Sequence, residues 1–324
     1  MKNLAVSVLI PVYNAENYIS KCLESIQSQT FQNFEIICLN DGSTDRSLEI
    51  LKEWSKKIIK LKIINQDNNG VAVARNRLIK EAKGKYIAFI DADDIVSKNY
   101  LYELYNAAEK VNADIVKCFF EEISADGNTK TNAHCSRMFY KDPENNLKDR
   151  FVCGYYDSVV WGKLFSLDML RKNKLFFLPG YIAEDFPFVT LSFLLASKII
   201  IVKEVLYYYR KGLSNAITSD NKKMAIDILH NLLNLYNQLI ERNLFQQGVA
   251  DEWIKAAVWG ICRFRKFPSK IRKEHLPLQQ DVWKIALDSI KQCSFIYKIR
   301  WGILFYLVKI FGWNSVYKLS KIFR

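Results

Sequence analysis

No two cysteines in this 324-residue chain stand in a Cys-x-x-Cys spacing, and the seven present are scattered and odd in number. That argues against a disulfide framework or a zinc site and for reduced thiols in a reducing compartment. Histidine is scarcer still: His134, His230 and His275 are isolated along the chain. No window reaches the roughly 18 uncharged apolar residues of a membrane-spanning helix. The first residues offer only Lys2 and a short apolar run, 4–10, cut by Pro11, where a secretory leader would want a longer one. Internal repeats and low-complexity linkers are missing too. Acidic residues nearly vanish toward the C-terminus. From Ile254 to Arg324 there are 3 Asp and Glu against 15 Lys and Arg, while the other 253 residues carry 31 against 32. The net charge of +13 is therefore almost wholly C-terminal, and such asymmetry favours an anionic partner there: a membrane surface, nucleic acid or a polyanionic substrate.

What is present is a sizeable apolar fraction, 50%, with 25% charged, which supports a packed core and excludes global disorder. The first 113 residues alternate in period. Strand-like runs occupy 6–10, 35–39, 61–64 and 86–90, and helical patterns occupy 15–28, 46–57, 71–82 and 99–111. Asp45 reads as an N-cap and Gly84 as a helix C-terminal signal. Strands separated by helices of this length pair in parallel, with helices on both faces of one sheet, and ligands sit beyond the carboxyl ends of the strands. Three of the four strands end in polar clusters, "PVYNAE", "NDGSTD" and "DADD", which should fall along one edge. From 114 to 219 the pattern is less regular. From 220 to 324 it is helical and basic, with an amphipathic helix over 224–239.

The acidic cluster is Asp91, Asp93 and Asp94, directly after an apolar strand. In an extended chain Asp91 and Asp93 share a face and Asp94 lies opposite. Two adjacent carboxylates need a cation, and oxygen ligands favour hard ions such as Mg²⁺ or Mn²⁺, with water and a substrate phosphate completing the shell. Taken alone, the cluster reads more readily as helix capping and loop solvation than as a metal site, and Asp94 reads best that way.

The neighbouring tracts "VSVLIPVYNAENYISKCLESIQSQT", "NDGSTDRS", "NNGVAVARNRLIKEAKGKYIAFIDADD" and "AEDFPF", in that order over about residues 4–215, resemble glycosyltransferase family 2. The tract "VVWGKLF" further resembles the branch that builds bacterial surface saccharides. The resemblance implies an α/β, GT-A, Rossmann-like fold with a mostly parallel sheet, and inverting transfer of a sugar from a nucleotide diphosphate donor. On it, 1–113 is the nucleotide-sugar half, 114–219 the acceptor half and 220–324 a helical appendage.

By resemblance, Pro11, Tyr13 and Glu16 lie near the nucleoside, and Asp41 accepts from uracil N3–H, which favours UDP over a cytosine donor. Arg75 and Asn76 line the diphosphate and sugar region, and Asp93 and Asp91 hold the metal. Asp185, paired with Glu184, is the base that takes the acceptor proton. Asp185 also suits a helix start, where a carboxylate caps and meets the helix dipole. Trp161 and Lys163 are read as acceptor contacts, with a core Trp as the alternative. Arg210 is a diphosphate clamp, because its planar fork matches phosphate. Some relatives carry a histidine ligand a few residues after such an arginine; Lys211, Gly212 and Leu213 stand there here, so that ligand is absent and the identity of a third protein ligand stays open.

The rivals fare less well. A sugar-nucleotide pyrophosphorylase needs a Gly-rich phosphate loop that "PVYNAENY" lacks, and a nucleic-acid binder needs a recognition motif that is absent. A non-catalytic nucleotide-binding scaffold is opposed by the intact Asp-x-Asp and Glu-Asp pairs. The expected partners are a UDP-sugar and a lipid-linked oligosaccharide, lipooligosaccharide or capsule acceptor, with a polyprenyl phosphate as the alternative. Residues 295–324 hold six basic and no acidic residues with Trp301, Trp313, four Phe and three Tyr. This suits an interfacial segment on an anionic membrane, on the inner face of the cytoplasmic membrane. The other reading packs these helices onto the catalytic domain or onto a second subunit, as in a homodimer.

Overall fold

The computed structural model describes residues 4–126, 146–212 and 220–295, with 298, 301 and 306. The elements run β1 (Val6–Val12), α1 (Ile19–Gln27), β2 (Phe34–Asp41), α2 (Ser47–Ser55), β3 (Leu61–Gln66), α3 (Val71–Glu81), β4 (Tyr86–Phe89), β5 (Ile95–Val96), α4 (Tyr100–Val111) and β6 (Ile115–Ile123). After these come α5 (Leu147–Tyr156), β7 (Lys163–Ser166), α6 (Leu167–Lys172), α7 (Asp185–Leu195), β8 (Ile199–Arg210), α8 (Asn221–Glu241), α9 (Gln247–Cys262), α10 (Ser269–Glu274) and α11 (Leu276–Ser289).

The eight strands form one sheet in the order β3-β2-β1-β4-β7-β6-β8-β5. β1 to β4 are mutually parallel, β7 runs antiparallel to β4 and β6, and β6 and β8 are parallel. Parallel strands buried on both faces need apolar residues at every position, which is why "VSVLI" and "EIICL" read as runs and not as alternations. Val6, Val8, Ile10 and Val12 join the core under α1, α2 and α4, and the alternate residues meet α3. Pro11 is tolerated for a geometric reason. The Leu9 carbonyl accepts from Ile90 N–H, so odd-numbered residues of β1 turn their backbone groups toward β4. Pro11 lies past the last residue of β4, where a missing N–H costs no ladder bond.

The four strands and four helices read in the first 113 residues are present, with ends shifted by a few residues; β5 is an addition, and Arg46, not Asp45, is the N-cap of α2, although Asp45 accepts the Ser47 N–H. α1 begins at Ile19 and not at 15: Tyr18, at φ −125°, is its N-cap, and the N–H groups of Ala15 and Glu16 before it are held by Ser47 Oγ at 2.8 Å and Asp45 Oδ2 at 3.0 Å. α3 ends at Glu81 with Ala82 already extended, so Gly84 is not its cap. Gly84 is required by close approach: its N–H donates to Ser7 Oγ at 2.8 Å, and a Cβ there would meet Ser7 N at 2.5 Å and Val6 C at 2.7 Å.

The chain forms two compact units that interleave along the sequence: Met1–Glu144, Asp157–Gly180 and Leu195–Asn215 in the first; Asn145–Tyr156, Tyr181–Leu194 and Ala216–Arg324 in the second. The first holds the whole sheet. The second gathers α5 and α7 with α8 to α11, so two segments from the expected acceptor half join the C-terminal helices. Asp220 caps α8 by accepting the N–H groups of Lys222 and Lys223. Trp253, fully buried on α9, donates its indole N–H to the Leu232 carbonyl of α8 at 3.2 Å and packs against Tyr236 and Phe245. Of residues 295–324 only 295, 298, 301 and 306 are described: Trp301 is buried, while Phe295 and Tyr306 are exposed. The interfacial segment read from the sequence lies otherwise outside the described residues. No described helix is long and apolar enough to cross a membrane.

Because the atoms facing Gly84 are backbone and cannot move aside singly, Gly84→Ala is expected to lower unfolding stability by about 1–3 kcal/mol, as overpacking does. Urea unfolding measures it.

Candidate active site

The parallel strands place the loops after β1, β2 and β4 at one edge, and side-chain bonds join the loops to one another. Asn14, at φ +48°, accepts the Thr44 N–H on its Oδ1 at 2.8 Å and donates its own N–H to Ser43 Oγ at 3.1 Å. Glu16 accepts the Arg46 N–H at 3.0 Å. Tyr13 is 48% exposed, leaving an aromatic face at this edge. Asp41 is buried and heavily used: it accepts from Gln66 Nε2 at 2.7 Å, Asn69 N–H at 3.0 Å and Gly70 N–H at 2.9 Å. Gly42 follows at φ +68°, so close to Asn68 that a Cβ would meet its N at 2.6 Å. Asp41 thus ties the loop after β3 to the end of β2.

The acidic cluster is not extended. β4 stops at Phe89, and Asp94 N–H donates to the Asp91 carbonyl at 3.1 Å, closing a turn over 91–94. The strand alternation that put Asp91 and Asp93 on a shared face therefore does not apply. Instead three separate partners set the carboxylates. Asp91 pairs with Arg75 at 3.1 Å; the Arg75 side chain is 5% exposed and its guanidinium lies over the Phe177 ring, 5.4 Å from the centroid. Asp94 is fully buried and accepts from Tyr207 Oη at 2.6 Å and Arg210 N–H at 2.8 Å. The Tyr207 hydroxyl also accepts the Asp91 N–H at 3.2 Å. Asp93 takes no side-chain bond from another described residue. Burial and then the neighbouring Asp91 charge push its carboxyl up to about 6. Burial, then Asp93 and Asp91, also raise Asp94.

Arg210, at the end of β8, donates Nε–H to the Asp93 carbonyl at 2.7 Å and Nη1 to the Ala125 carbonyl at 2.8 Å, and stacks over Tyr18 at 5.3 Å. Its Nη2 is buried and has no protein partner among the described residues. The edge therefore presents carboxylates between two buried guanidiniums, one from α3 and one from β8. Among the described residues no three His, Cys, Asp or Glu side chains converge as a metal cluster. Asp91 and Asp93 bring two carboxylates to this turn, the oxygen donor type a hard cation takes; Asp91 is paired with Arg75, and Asp93 is raised by burial first and Asp91 second. This fits a hard divalent ion that keeps water or substrate oxygens.

The family model for glycosyl transferase family 2 matches residues 7–168, half of the chain. The chain belongs to that family. This family 2 chain is 37% identical over 231 residues to the uncharacterized glycosyltransferase EpsJ of Bacillus subtilis, covering 68% of the chain and 65% of EpsJ. It is 30% identical over 344 residues to the cholesterol galactosyltransferase of Borreliella burgdorferi, covering 98% and 90%. It spans about two-thirds of the length of both B. subtilis relatives EpsH and EpsJ, 66% and 65%. The S. aureus TarS 1–349 structure in complex with UDP-GlcNAc superposes with a TM-score of 0.59 at 22% identity, over 88% of this chain and 89% of that 1–349 chain, which identifies the fold as GT-A.

Three residues expected at the site, Trp161, Lys163 and Asn76, are committed to packing and structural contacts, Trp161 as its core alternative had it, while Asp185 stands at the helix start expected for it. Trp161 is only 5% exposed: its ring lies parallel to Tyr207 and Tyr209 at 4.7 and 5.0 Å and edge-on to Phe120. It is a core ring and presents no free face to a sugar. Lys163 is 2% exposed and committed to Val159 O at 2.7 Å and Asp157 at 3.3 Å, with Lys117 on the same carboxylate. Burial would raise Asp157, but the two ammoniums outweigh it and hold the carboxyl below its usual value; burial lowers Lys163. Asn76 is spent on the Phe177 backbone, donating to its carbonyl and accepting its N–H, both at 2.8 Å, so it fixes the ring beneath Arg75. In the second unit Asp185 is the first residue of α7, half-buried, and Glu184 precedes it, buried.

Sequence reasoning missed Tyr207 and Phe177, which support the acidic turn and Arg75. Aromatics in apolar tracts give no signal that one hydroxyl will meet a turn more than a hundred residues away. Tyr207→Phe keeps the ring packing but strands the buried Asp94 and the Asp91 N–H. It is expected to cost about 1–3 kcal/mol, read by thermal and urea unfolding, whereas Tyr209→Phe, whose hydroxyl takes no part in the Asp94 and Asp91 bonds, gives a smaller loss.

Proposed function

We propose that this chain is an inverting, divalent-metal-dependent glycosyltransferase that moves a hexose or N-acetylhexosamine from a UDP-sugar to a hydroxyl of a bacterial glycan or glycolipid. The observation that carries the reading is the acidic turn held between two buried arginines. Asp91 and Asp93 would hold the ion, and the buried Nη2 of Arg210, unpartnered among the described residues, would be a donor for a phosphate oxygen. Arg75, already neutralising Asp91, keeps the turn from repelling a diphosphate. Asp41 spends three donors' worth of acceptor capacity on the end of β3 and the loop after it, leaving about one lone-pair site of a carboxylate for uracil N3–H. Tyr13, exposed, can stack on the base, with Pro11 and Glu16 shaping the same edge. That the same fold in TarS holds UDP-GlcNAc supports a UDP-sugar donor.

When bound, the ion would neutralise the charge that gathers on the departing UDP. The Asp185 carboxylate removes the acceptor hydroxyl proton as that oxygen attacks the anomeric carbon from the face opposite UDP. Family membership and the position of Asp185 at the start of α7 support this role. Asp93→Asn should abolish transfer and weaken UDP binding in Mn²⁺. Asp185→Asn should keep UDP affinity and lose transfer by ~10²–10⁴-fold, the usual worth of a general base. Full transfer in excess chelator defeats the metal; more than about a tenth of the wild-type rate in Asp185→Asn moves the base elsewhere.

A membrane-borne acceptor is favoured because the relative aligned over 98% of the chain, C-terminal helices included, is named for a sterol acceptor. The basic C-terminal region would then dock the enzyme on the inner face of the cytoplasmic membrane. Full-length protein is expected to co-sediment with anionic vesicles at low salt, and a chain ending at Gln292 to lose that binding while keeping UDP affinity. Equal sedimentation of the two overturns the docking role.

A further inference from the structure

The turn that leads into Asp185 is strained, and one helix holds it. Ala183 has φ +61°, a left-handed conformation that a Cβ-bearing residue adopts only at a cost. Its flanking peptide groups end on α8, within the same compact unit. Asn231, fully buried, donates its amide N–H groups to the Ile182 carbonyl at 2.9 Å and the Ala183 carbonyl at 3.1 Å. Asp227, one turn earlier on the same helix face and buried, accepts the Ile182 N–H at 2.7 Å and is itself paired with Lys223 at 2.6 Å. Satisfying buried backbone groups would not by itself require a left-handed alanine. A turn in an unstrained conformation could be satisfied as well. Strain held by two dedicated side chains beside a reacting group marks a geometry that is needed.

We propose that Asp227 and Asn231 are positioning residues that clamp the Ile182–Ala183 turn in its left-handed form and so fix the place of the Asp185 carboxylate for proton transfer. The inference rests on the reading of Asp185 as the base. Without the clamp the alanine relaxes toward the ordinary right-handed region, and the chain direction into α7 changes. Glycine carries no left-handed penalty, so at 183 it keeps the turn without help.

That difference makes the test. Transfer kinetics and UDP affinity by calorimetry in Mn²⁺ are measured for Asn231→Ala, Ala183→Gly, the double variant and Asp185→Asn. Asn231→Ala is expected to lower kcat about tenfold, equivalent to ~1.4 kcal/mol of lost transition-state positioning, with UDP affinity and acceptor KM nearly unchanged. Adding Ala183→Gly should recover at least about threefold of that loss relative to Ala183→Gly alone. A merely structural Asn231 predicts the opposite, since glycine loosens the unfolded chain and adds to the destabilisation. Should Asn231→Ala fail to fold, Asn231→Leu, close in size and unable to donate, carries the same comparison. An unchanged kcat, a loss that glycine does not relieve, or loss of UDP binding in both Asn231 variants overturns the proposal. If Asp185→Asn still transfers, the base reading fails and takes the clamp with it. If Asp185→Asn is dead while the Asn231 variants turn over normally, only the clamp is wrong.

Discussion

The Asp94 carboxylate is buried without a cation beside it, and its two hydrogen bonds set the positions of everything acidic around it. By taking the Tyr207 hydroxyl and the Arg210 N–H it joins the end of β8 to the turn after β4. Tyr207 then holds the Asp91 N–H, and the Arg210 side chain reaches the Asp93 carbonyl. A buried carboxyl with two donors is stable only while both stay in place, because losing one leaves a polar group unsatisfied in a low-dielectric interior. The two carboxylates that face outward are therefore placed by the one that does not.

The same arrangement manages the repulsion of three acids in four residues. Asp91 is compensated by an arginine that is itself pinned on Phe177, and Asp94 sits among hydrogen-bond donors. Asp93 takes no such partner, and burial, then the Asp91 charge, raise its carboxyl to about 6, while burial and the same neighbours raise Asp94 as well. Partners are thus shared unevenly across the turn.

Much of this was legible from residues 1–113, because parallel strands buried on both faces leave unbroken apolar runs and amphipathic helices leave a 3.6-residue period. The convergence of the polar loops on one edge followed from parallel pairing alone. What was not legible is how side chains are spent. Asn76, Trp161 and Lys163 belong to types that bind sugars and phosphates, yet they hold the Phe177 backbone, the core under β8 and the Asp157 cluster. A polar residue's type says what it can bond, whereas its partner is chosen by tertiary packing. The extended reading of 91–94 failed for a related reason: one backbone bond, Asp94 N–H to the Asp91 carbonyl, converts strand geometry into a turn, and nothing in "DADD" announces it. The role of α8 beside Asp185 was hidden because 183 and 231 are far apart in sequence, and a left-handed alanine has no compositional mark.

The interleaving of the two units carries a consequence for how the chain is made. β5, complete by Val96, has its sheet partner in β8 at Tyr207 and Tyr208, and Asp94 waits for the same strand. During synthesis the acidic turn must emerge and remain without its anchor while more than a hundred further residues are added. Long-range pairing of this kind is slow, and it exposes an unpaired edge meanwhile. The nascent sheet is thus at its most adhesive in the interval before β8 is delivered. A fragment that ends before β8 would carry every residue of the acidic turn and keep the Arg75–Asp91 pair, yet lack both partners of Asp94.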